Sequence, residues 1–203
     1  MILIGYSGHA FVVYGILKAA GKTVSGYCDI TEKSHNPFGL SYFGTEQGEH
    51  ALAVMLQQGC FIAVGDNAIR NKIYDQLTLK GIRIINAIHP AAVTDEAAVI
   101  AVRGVMVAAG VVVNPLAQIG TGVICNTGSI IEHENMIGNF AHIGPGAVLC
   151  GNVTVGERSF VGANAVVKQG ITIGKDVTIG AGSVVVKDVP NNSLVTGNPG
   201  RVQ

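Results

Sequence analysis

The chain has 203 residues, 48% of them apolar and only 13% charged, with 13 Lys and Arg against 13 Asp and Glu. That is one large domain or two small ones with a buried core; no basic patch points to nucleic acid, no acidic tail points to a disordered segment, and no apolar run of about 18 residues points to a membrane span. Cys28, Cys60, Cys125 and Cys150 show no paired spacing and no C-x-x-C, and Met1-Ile2-Leu3-Ile4-Gly5 lacks the basic region and cleavage site of a leader, so the expectation is reduced thiols in a cytoplasmic protein.

Residues 1–86 read as an α/β domain of Rossmann-like type. Ile2-Leu3-Ile4 is a short apolar strand, and Gly5-Tyr6-Ser7-Gly8-His9 a glycine-rich turn into a buried helix from Ala10 to Ala20, closed by Gly21. Further strands are expected at Val24 to Asp29, at Phe61-Ile62-Ala63-Val64 and at Arg83-Ile84-Ile85, with helices at His50 to Gln58 and Ala68 to Leu79. Strands alternating with helices imply a parallel sheet. The turn at Ser7, Gly8 and His9 points backbone N–H groups and a helix dipole at an anion such as phosphate. Asp29, at the end of the second strand, could bind a ribose or a base. Gly65-Asp66-Asn67, after the third strand, opens onto the same crevice in a doubly wound sheet, or else is an ordinary turn and N-cap. A nicotinamide fingerprint would need glycine where Ser7 and Ala10 stand, and His9 either meets a ligand or caps the helix.

Residues 87–106 contain His89-Pro90, which forces an extended turn. Val93, Val99 and Val105 sit there out of register with the hexads that begin at Val107, and the segment reads as a connector and an irregular first coil. From Val107 to Val189 the chain repeats in sixes. The first position (Val107, Val113, Ile119, Cys125 and on to Val185) is Ile, Leu or Val in thirteen of fourteen hexads, the fifth is small or short, and the second is Gly in seven. A helix cannot hold one residue in six on one face for so long, whereas short strands joined by corners can. Three hexads close one triangular coil, and the stack is a hexapeptide-repeat parallel β-helix. Glycine at the second position is expected to serve unusual backbone angles at the corners. Residues 190–203 are expected to leave the solenoid as a tail.

The repeat fails locally. Cys125 is the one first position that is not Ile, Leu or Val, and Asn126, Glu132 and Cys150 stand where Gly is common. Glu132-His133-Glu134-Asn135 puts four polar residues in a row inside an apolar solenoid. Such departures from local rules mark functional sites. His133, third in its hexad, points outward, with Pro115 one coil below and Gly151 one coil above. Gly151 leaves room over the imidazole and exposes an N–H. A base beside a fixed N–H is what acyl transfer requires: the base takes the nucleophile's proton and the N–H holds the oxyanion. Its second nitrogen needs an acceptor, for which Glu134 and the main chain near Asn126 are candidates. His142 stacks between Ile124 and Phe160, where a structural or ligand-contacting role suits it. His133, Glu134 and His142 lie on different sides of the prism, which argues against a metal site.

Together, the Gly5-x-Ser7-Gly8-His9 loop, His89-Pro90 and the Ile131-Glu132-His133-Glu134 stretch within a hexad solenoid resemble the bacterial nucleotide-aminosugar N-acetyltransferases, among them the bacillosamine-pathway UDP-4-amino-sugar enzyme and the perosamine N-acetyltransferases; sialic acid O-acetyltransferases share the layout. The resemblance spans essentially the whole chain. It implies a left-handed β-helix, a homotrimer with sites between neighbouring solenoids, and acetyl-CoA as co-substrate. By the same resemblance His133 is the general base, Glu134 the acid that follows it, Asn126 the residue whose carbonyl orients the imidazole, and Gly151 the amide facing the thioester carbonyl. His142 would lie beside the thioester, Gly162-Ala163 and Gly180-Ala181 would contact the pantetheine arm, and Ser7, Gly8, His9 and Asp29 would hold the nucleotide sugar. Some members that use UDP-sugars have a second acid where this chain has Ile30.

The function so implied is acetyl transfer to the amine of a nucleotide-linked amino-deoxysugar, either a UDP-4-amino-4,6-dideoxy sugar or GDP-perosamine. O-acetylation of sialic acid or a related sugar, and a non-catalytic solenoid that binds sugar nucleotides, are the other two readings.

Overall fold

A computed structural model describes residues 1–203 as two units. The first holds strands β1 (Ile2–Ile4), β2 (Gly26–Cys28), β3 (Ser41–Tyr42) and β4 (Cys60–Ile62) and helices α1 (Gly8–Ala19), α2 (Glu49–Gln58) and α3 (Asn67–Leu79). The sheet is parallel in the order β3-β2-β1-β4. The chain therefore runs outward from β1, then crosses back to place β4 on its other side, and the crevice at this reversal lies above the carboxyl ends of β1 and β4. Strand β3 has no counterpart in the sequence reading, because two residues at a sheet edge carry no apolar run. The strand expected at Arg83-Ile84-Ile85 shrinks to one bridge between Cys60 and Ile84. It cannot extend, because the chain is drawn into the solenoid directly afterwards: Asn86 donates from Nδ2 to the Ala101 carbonyl (2.7 Å) and accepts at Oδ1 from the Val105 N–H (3.0 Å).

The second unit is a triangular parallel β-helix with faces of eight, six and five strands. Successive rungs are three hexads apart: Ile124 pairs with His142, Ile130 with Val148 and Met136 with Thr154. Residues 87–106 are a coil of the same kind, but with one residue more than three hexads between partners (Ala87 with Met106, Val93 with Val112). The extra residue bulges at the corner after Ala101, where Val102 is 83% exposed. A one-residue insertion thus shifted the register without breaking the coil. Nor does the tail leave at Pro190. Leu194–Thr196 continues the first face on Thr178–Ile179, and Arg201–Val202 folds back antiparallel upon it.

First-position side chains such as Val107, Cys125, Ile143 and Leu149 are wholly buried, as are fifth-position Ala117, Ala141, Ala147 and Asn135. Asn135 is therefore a core residue, with Oδ1 accepting from the Val153 N–H and Nδ2 donating to the Leu149 carbonyl (3.3 Å). The unusual backbone angles fall at the fourth position, not the second: the fourth residue of every hexad from Gly110 through Gly182 has positive φ, including Leu116, Glu134 and Asn152. Second-position glycines answer a different constraint. A Cβ at Gly138 or Gly162 would strike the backbone of the next coil (Glu157 N at 2.7 Å, Ala181 N at 2.6 Å).

Helix α3 docks the two units. Its Asn67, Arg70 and Tyr74 recur every three to four residues, so each advances by roughly one 5.4 Å turn, close to the roughly 4.8 Å rise of a coil. They meet successive corners of the solenoid. Asn67 donates to the carbonyls of Arg158 (2.8 Å) and Ser159 (3.2 Å). Arg70 donates to those of Gly122 (2.8 Å) and Phe140 (2.7 Å), and the Tyr74 ring packs edge-on against Phe140. Arg70 is 1% exposed and also binds the Val64 and Gly65 carbonyls and Asn67 Oδ1. Burial lowers its pKa to about 10, which leaves it charged. No helix is long and apolar enough to cross a membrane.

Replacing Arg70 by Met strands four backbone carbonyls and is expected to lower the unfolding free energy by about 3 kcal/mol, read from urea denaturation. A loss below about 1 kcal/mol would show that water replaces these bonds at no cost.

Candidate active site

His133 sits on the corner between the second and third faces, after the strand Ile130–Ile131. Its Nδ1 lies 2.9 Å from Glu134 Oε2. A carboxylate only accepts, so Nδ1 is the donor in this pair. The left-handed backbone at Glu134 (φ 61°), pinned by its N–H to the Pro115 carbonyl (3.1 Å), returns its carboxylate to the neighbouring ring. On the rung above, a methyl group at Gly151 would overlap the His133 ring at Cε1 and Nε2, so this edge of the imidazole faces the glycine. The Gly151 N–H enters no backbone hydrogen bond, while its carbonyl accepts from Gly170 (3.0 Å). His133, Cys150, Gly151, Asn152, Gln169 and Gly170 line a recess of about 380 Å³ beside it.

Asn126 does not orient this imidazole within the chain. Its carbonyl accepts from the Ser129 N–H (3.0 Å), and its Nδ2 lies 3.1 Å from His142 Nε2. The amide donates and the ring accepts. His142 and His9 approach each other across the junction of the two units, with centroids 6.2 Å apart. Burial, reinforced by Arg70 and His9, pushes His142 down to about 3; burial and Arg70 push His9 down to about 4. Both rings are neutral near pH 7, and His9 Nε2 is buried without a partner. His142 also faces a recess of about 440 Å³ with Gly65, Asn67, Phe160 and Thr178.

A larger cavity of about 600 Å³ lies at the carboxyl ends of β1, β2 and β4, lined among others by Gly5, Ser7, Asp29, Lys33, Glu46 and Gly65. Ser7 N-caps α1 without spending its hydroxyl on the helix. Asp29 accepts from the N–H groups of Tyr6 (2.9 Å) and Ile30 (2.7 Å) and pairs with Lys33 (3.0 Å), so it also shapes the loop. Gly8 and His9 lie outside this cavity's lining, and Asn67 is turned away from it, because its amide is spent on the solenoid. Asp66 caps α3 through the Ile69 N–H (2.8 Å).

Gly162-Ala163 and Gly180-Ala181 stack on the corner between the first and second faces, one coil apart. The Ala163 and Ala181 N–H groups take part in no backbone hydrogen bond. This is a different corner from that of His133. Sequence reasoning did not find Arg70, since a polar residue on an amphipathic helix reads as solvent-facing; the helical spacing of Asn67, Arg70 and Tyr74 is the one signal that could have marked a second contact face. Lys33 and Glu46 lie in loops with no motif. No three His, Cys, Asp or Glu side chains converge to hold a metal ion.

Residues 1–77 match the PglD N-terminal domain, and residues 152–187 match the hexapeptide repeat of succinyl-transferase. The whole chain superposes on perosamine N-acetyltransferase from Caulobacter crescentus, solved as a histidine-to-asparagine mutant in complex with CoA and GDP-perosamine, at 38% identity over 100% of this chain and 95% of that one, with a TM-score of 0.91. It superposes equally on the acetyltransferase domain of PglB from Neisseria gonorrhoeae FA1090 in complex with acetyl coenzyme A, at 33% identity over 100% and 98% of the two chains, with a TM-score of 0.92. WeeI from Acinetobacter baumannii AYE shares the fold at 23% identity and a TM-score of 0.83. Fold and site thus define a hexapeptide-repeat acyltransferase, a left-handed β-helix behind an N-terminal α/β domain. The chain belongs to the nucleotide-aminosugar N-acetyltransferase family.

Changing Gly151 to Ala drives a methyl group into the imidazole and is expected to cut turnover by about 100-fold or more while leaving the circular dichroism unchanged. Turnover close to wild type would remove Gly151 from the site. A second prediction concerns acid. In the unfolded chain both His9 and His142 take up protons below about pH 6.5, whereas in the folded chain they stay neutral down to about 4 and about 3. The unfolded state therefore binds more protons in this window, and stability falls as the pH drops from about 6.5 toward about 4. The urea midpoint should be lower at about pH 4.5 than at about pH 7, and His9→Asn should reduce the difference. An unchanged difference in that variant would exclude His9 as a contributor.

Proposed function

We propose that this protein transfers the acetyl group of acetyl-CoA to the amine of a nucleotide-linked amino-deoxysugar, of the UDP-4-amino-4,6-dideoxy or GDP-perosamine type. The observation that carries the reading is that His133 turns its Cε1–Nε2 edge to Gly151 one rung above, whose N–H enters no backbone hydrogen bond. The cavity at the reversal of the sheet, with Ser7 and Asp29 on its wall, holds the nucleotide. The sugar amine reaches His133, which removes its proton as the nitrogen attacks the thioester carbon. Glu134 fixes the tautomer and stabilises the imidazolium that forms. The Gly151 N–H binds the oxyanion, and coenzyme A departs as the thiol after taking the proton back from His133. Ala163 and Ala181 offer their N–H groups to the amides of the pantetheine arm, and His142 packs beside the thioester as a neutral ring.

Three copies assemble with a site between each pair of neighbours. In support of this, His133 and the Ala163–Ala181 corner occupy different edges of one prism, so one chain alone does not gather base and donor. Four free cysteines suit a cytoplasmic setting.

The test is thiol release from acetyl-CoA with GDP-perosamine, a UDP-4-amino-4,6-dideoxy sugar and sialic acid offered separately. Turnover is expected with an amine acceptor, and His133→Ala should lower kcat by about 1000-fold with the fold intact. Release with the hydroxyl acceptor alone, or wild-type kcat in the variant, would overturn the reading.

A further inference from the structure

The corner column that carries His133 continues upward. Pro115, His133, Gly151 and Gln169 follow one another at intervals of one coil, and the strands that precede the last three pair directly, Ile130 with Val148 and Val148 with Val166. Rungs rise roughly 4.8 Å each, so His133 and Gln169 stand roughly 10 Å apart with only a glycine between them. Gln169 is exposed and lines the same recess as the imidazole, opposite it across Gly151. His133, Gly151 and Gln169 line this one recess at three successive levels of the column.

We propose that Gln169 is a further catalytic residue, whose side-chain amide donates a second hydrogen bond, beside the Gly151 N–H, to the oxygen that becomes negative during acetyl transfer. The assignment rests on the acyl-transfer reading above. The amine nitrogen sits over His133, because that is where its proton goes. As the carbon–nitrogen bond forms, the carbonyl π pair moves onto oxygen, and the proton passes from nitrogen to His133 Nε2. With the nitrogen below, the acetyl carbon and its oxygen lie higher in the column, toward Gly151 and Gln169. The oxyanion then re-forms the carbonyl, the carbon–sulfur bond breaks, and the departing thiolate takes the proton from the imidazolium. An oxyanion accepts more than one hydrogen bond, and Gly151 supplies a single N–H. A carboxamide adds a donor without a titratable proton that would compete with His133. Glycine at position 151 lets the imidazole lie directly under this rung, since a Cβ there would strike His133 Cε1 and Nε2.

The experiment compares Gln169→Ala and Gln169→Glu with wild type in steady-state thiol release, using whichever acceptor the wild type turns over. Gln169→Ala is expected to lower kcat by about 100-fold with the KM for both substrates little changed, the pattern of an interaction made only in the transition state. Gln169→Glu should fall lower still, because a carboxylate opposes the developing charge, and the shape of the pH profile should be unaltered, since the base is untouched. A kcat within about threefold of wild type in the Ala variant, or a raised KM for the sugar nucleotide at unchanged kcat, would overturn the assignment; the second result would make Gln169 a sugar contact. Turnover of a hydroxyl acceptor alone would overturn N-acetylation while leaving this test intact, because the same oxyanion arises from either nucleophile. Absence of thiol release by wild type with every acceptor would remove both.

Discussion

The hydrogen bonds between coils are the constraint on which everything else in this molecule depends. Each rung donates to the carbonyls of the rung one coil further on, as Asn126 N–H does to Ile143 and Glu132 N–H to Leu149. A β-helix held this way has no freedom to slide, since a slip of one residue would turn the aliphatic first positions outward. Every position within a hexad therefore becomes a vertical column. His133 lies beneath Gly151 for the same reason that Val107 lies beneath Cys125. The precision of the site is inherited from the core, and a corner, ordinarily the loosest part of a fold, here carries side chains as rigidly as a strand.

The same ladder fixes the N-terminal domain. Because α3 advances by nearly one coil per turn, a helix and a solenoid can interlock over three rungs without either bending. Arg70 is the residue through which the match is enforced, and its charge is solvated almost wholly by carbonyls of both units. That charge has a reach beyond its own bonds: it helps to hold His9 and His142 neutral at the junction. Neutral imidazoles can donate and accept hydrogen bonds without adding charge to a buried junction. His133, by contrast, is exposed at its corner with a carboxylate for a neighbour.

Much of this was legible from residues alone. The period of six announces the solenoid, and counting three hexads at a time places Gly151 over His133 before any coordinates exist. What misled was the meaning of the exceptions. Glu132 and Cys150 stand out where glycine is common, yet Asn114, Lys168 and Val186 on the same corner lack it too. Glycine is confined to corners where the next coil's backbone crosses closely, so half of the apparent break in pattern belongs to the geometry of that edge. The real signal was narrower: an outward His followed by Glu, capped by Gly. Within one chain the Asn126 side chain meets His142 and not His133, a contact set by two neighbouring coils that no local stretch of sequence displays. Arg70 lay hidden because burial of a charge on an amphipathic helix depends on a partner surface that no local window contains.

The one-residue bulge at Val102 shows what kind of change such an architecture absorbs. It lies before the first rung that contributes to the site, so all columns above it stay aligned. A single residue inserted between Pro115 and His133 would instead have to bulge at a corner of the site itself. One inserted hexad would rotate His133 by a third of a turn onto another face. Only a whole coil preserves the alignment, so the chain is free to grow or shrink at its two ends and in quanta of one full turn, and the interval from Pro115 to Gln169 behaves as a single indivisible unit of inheritance.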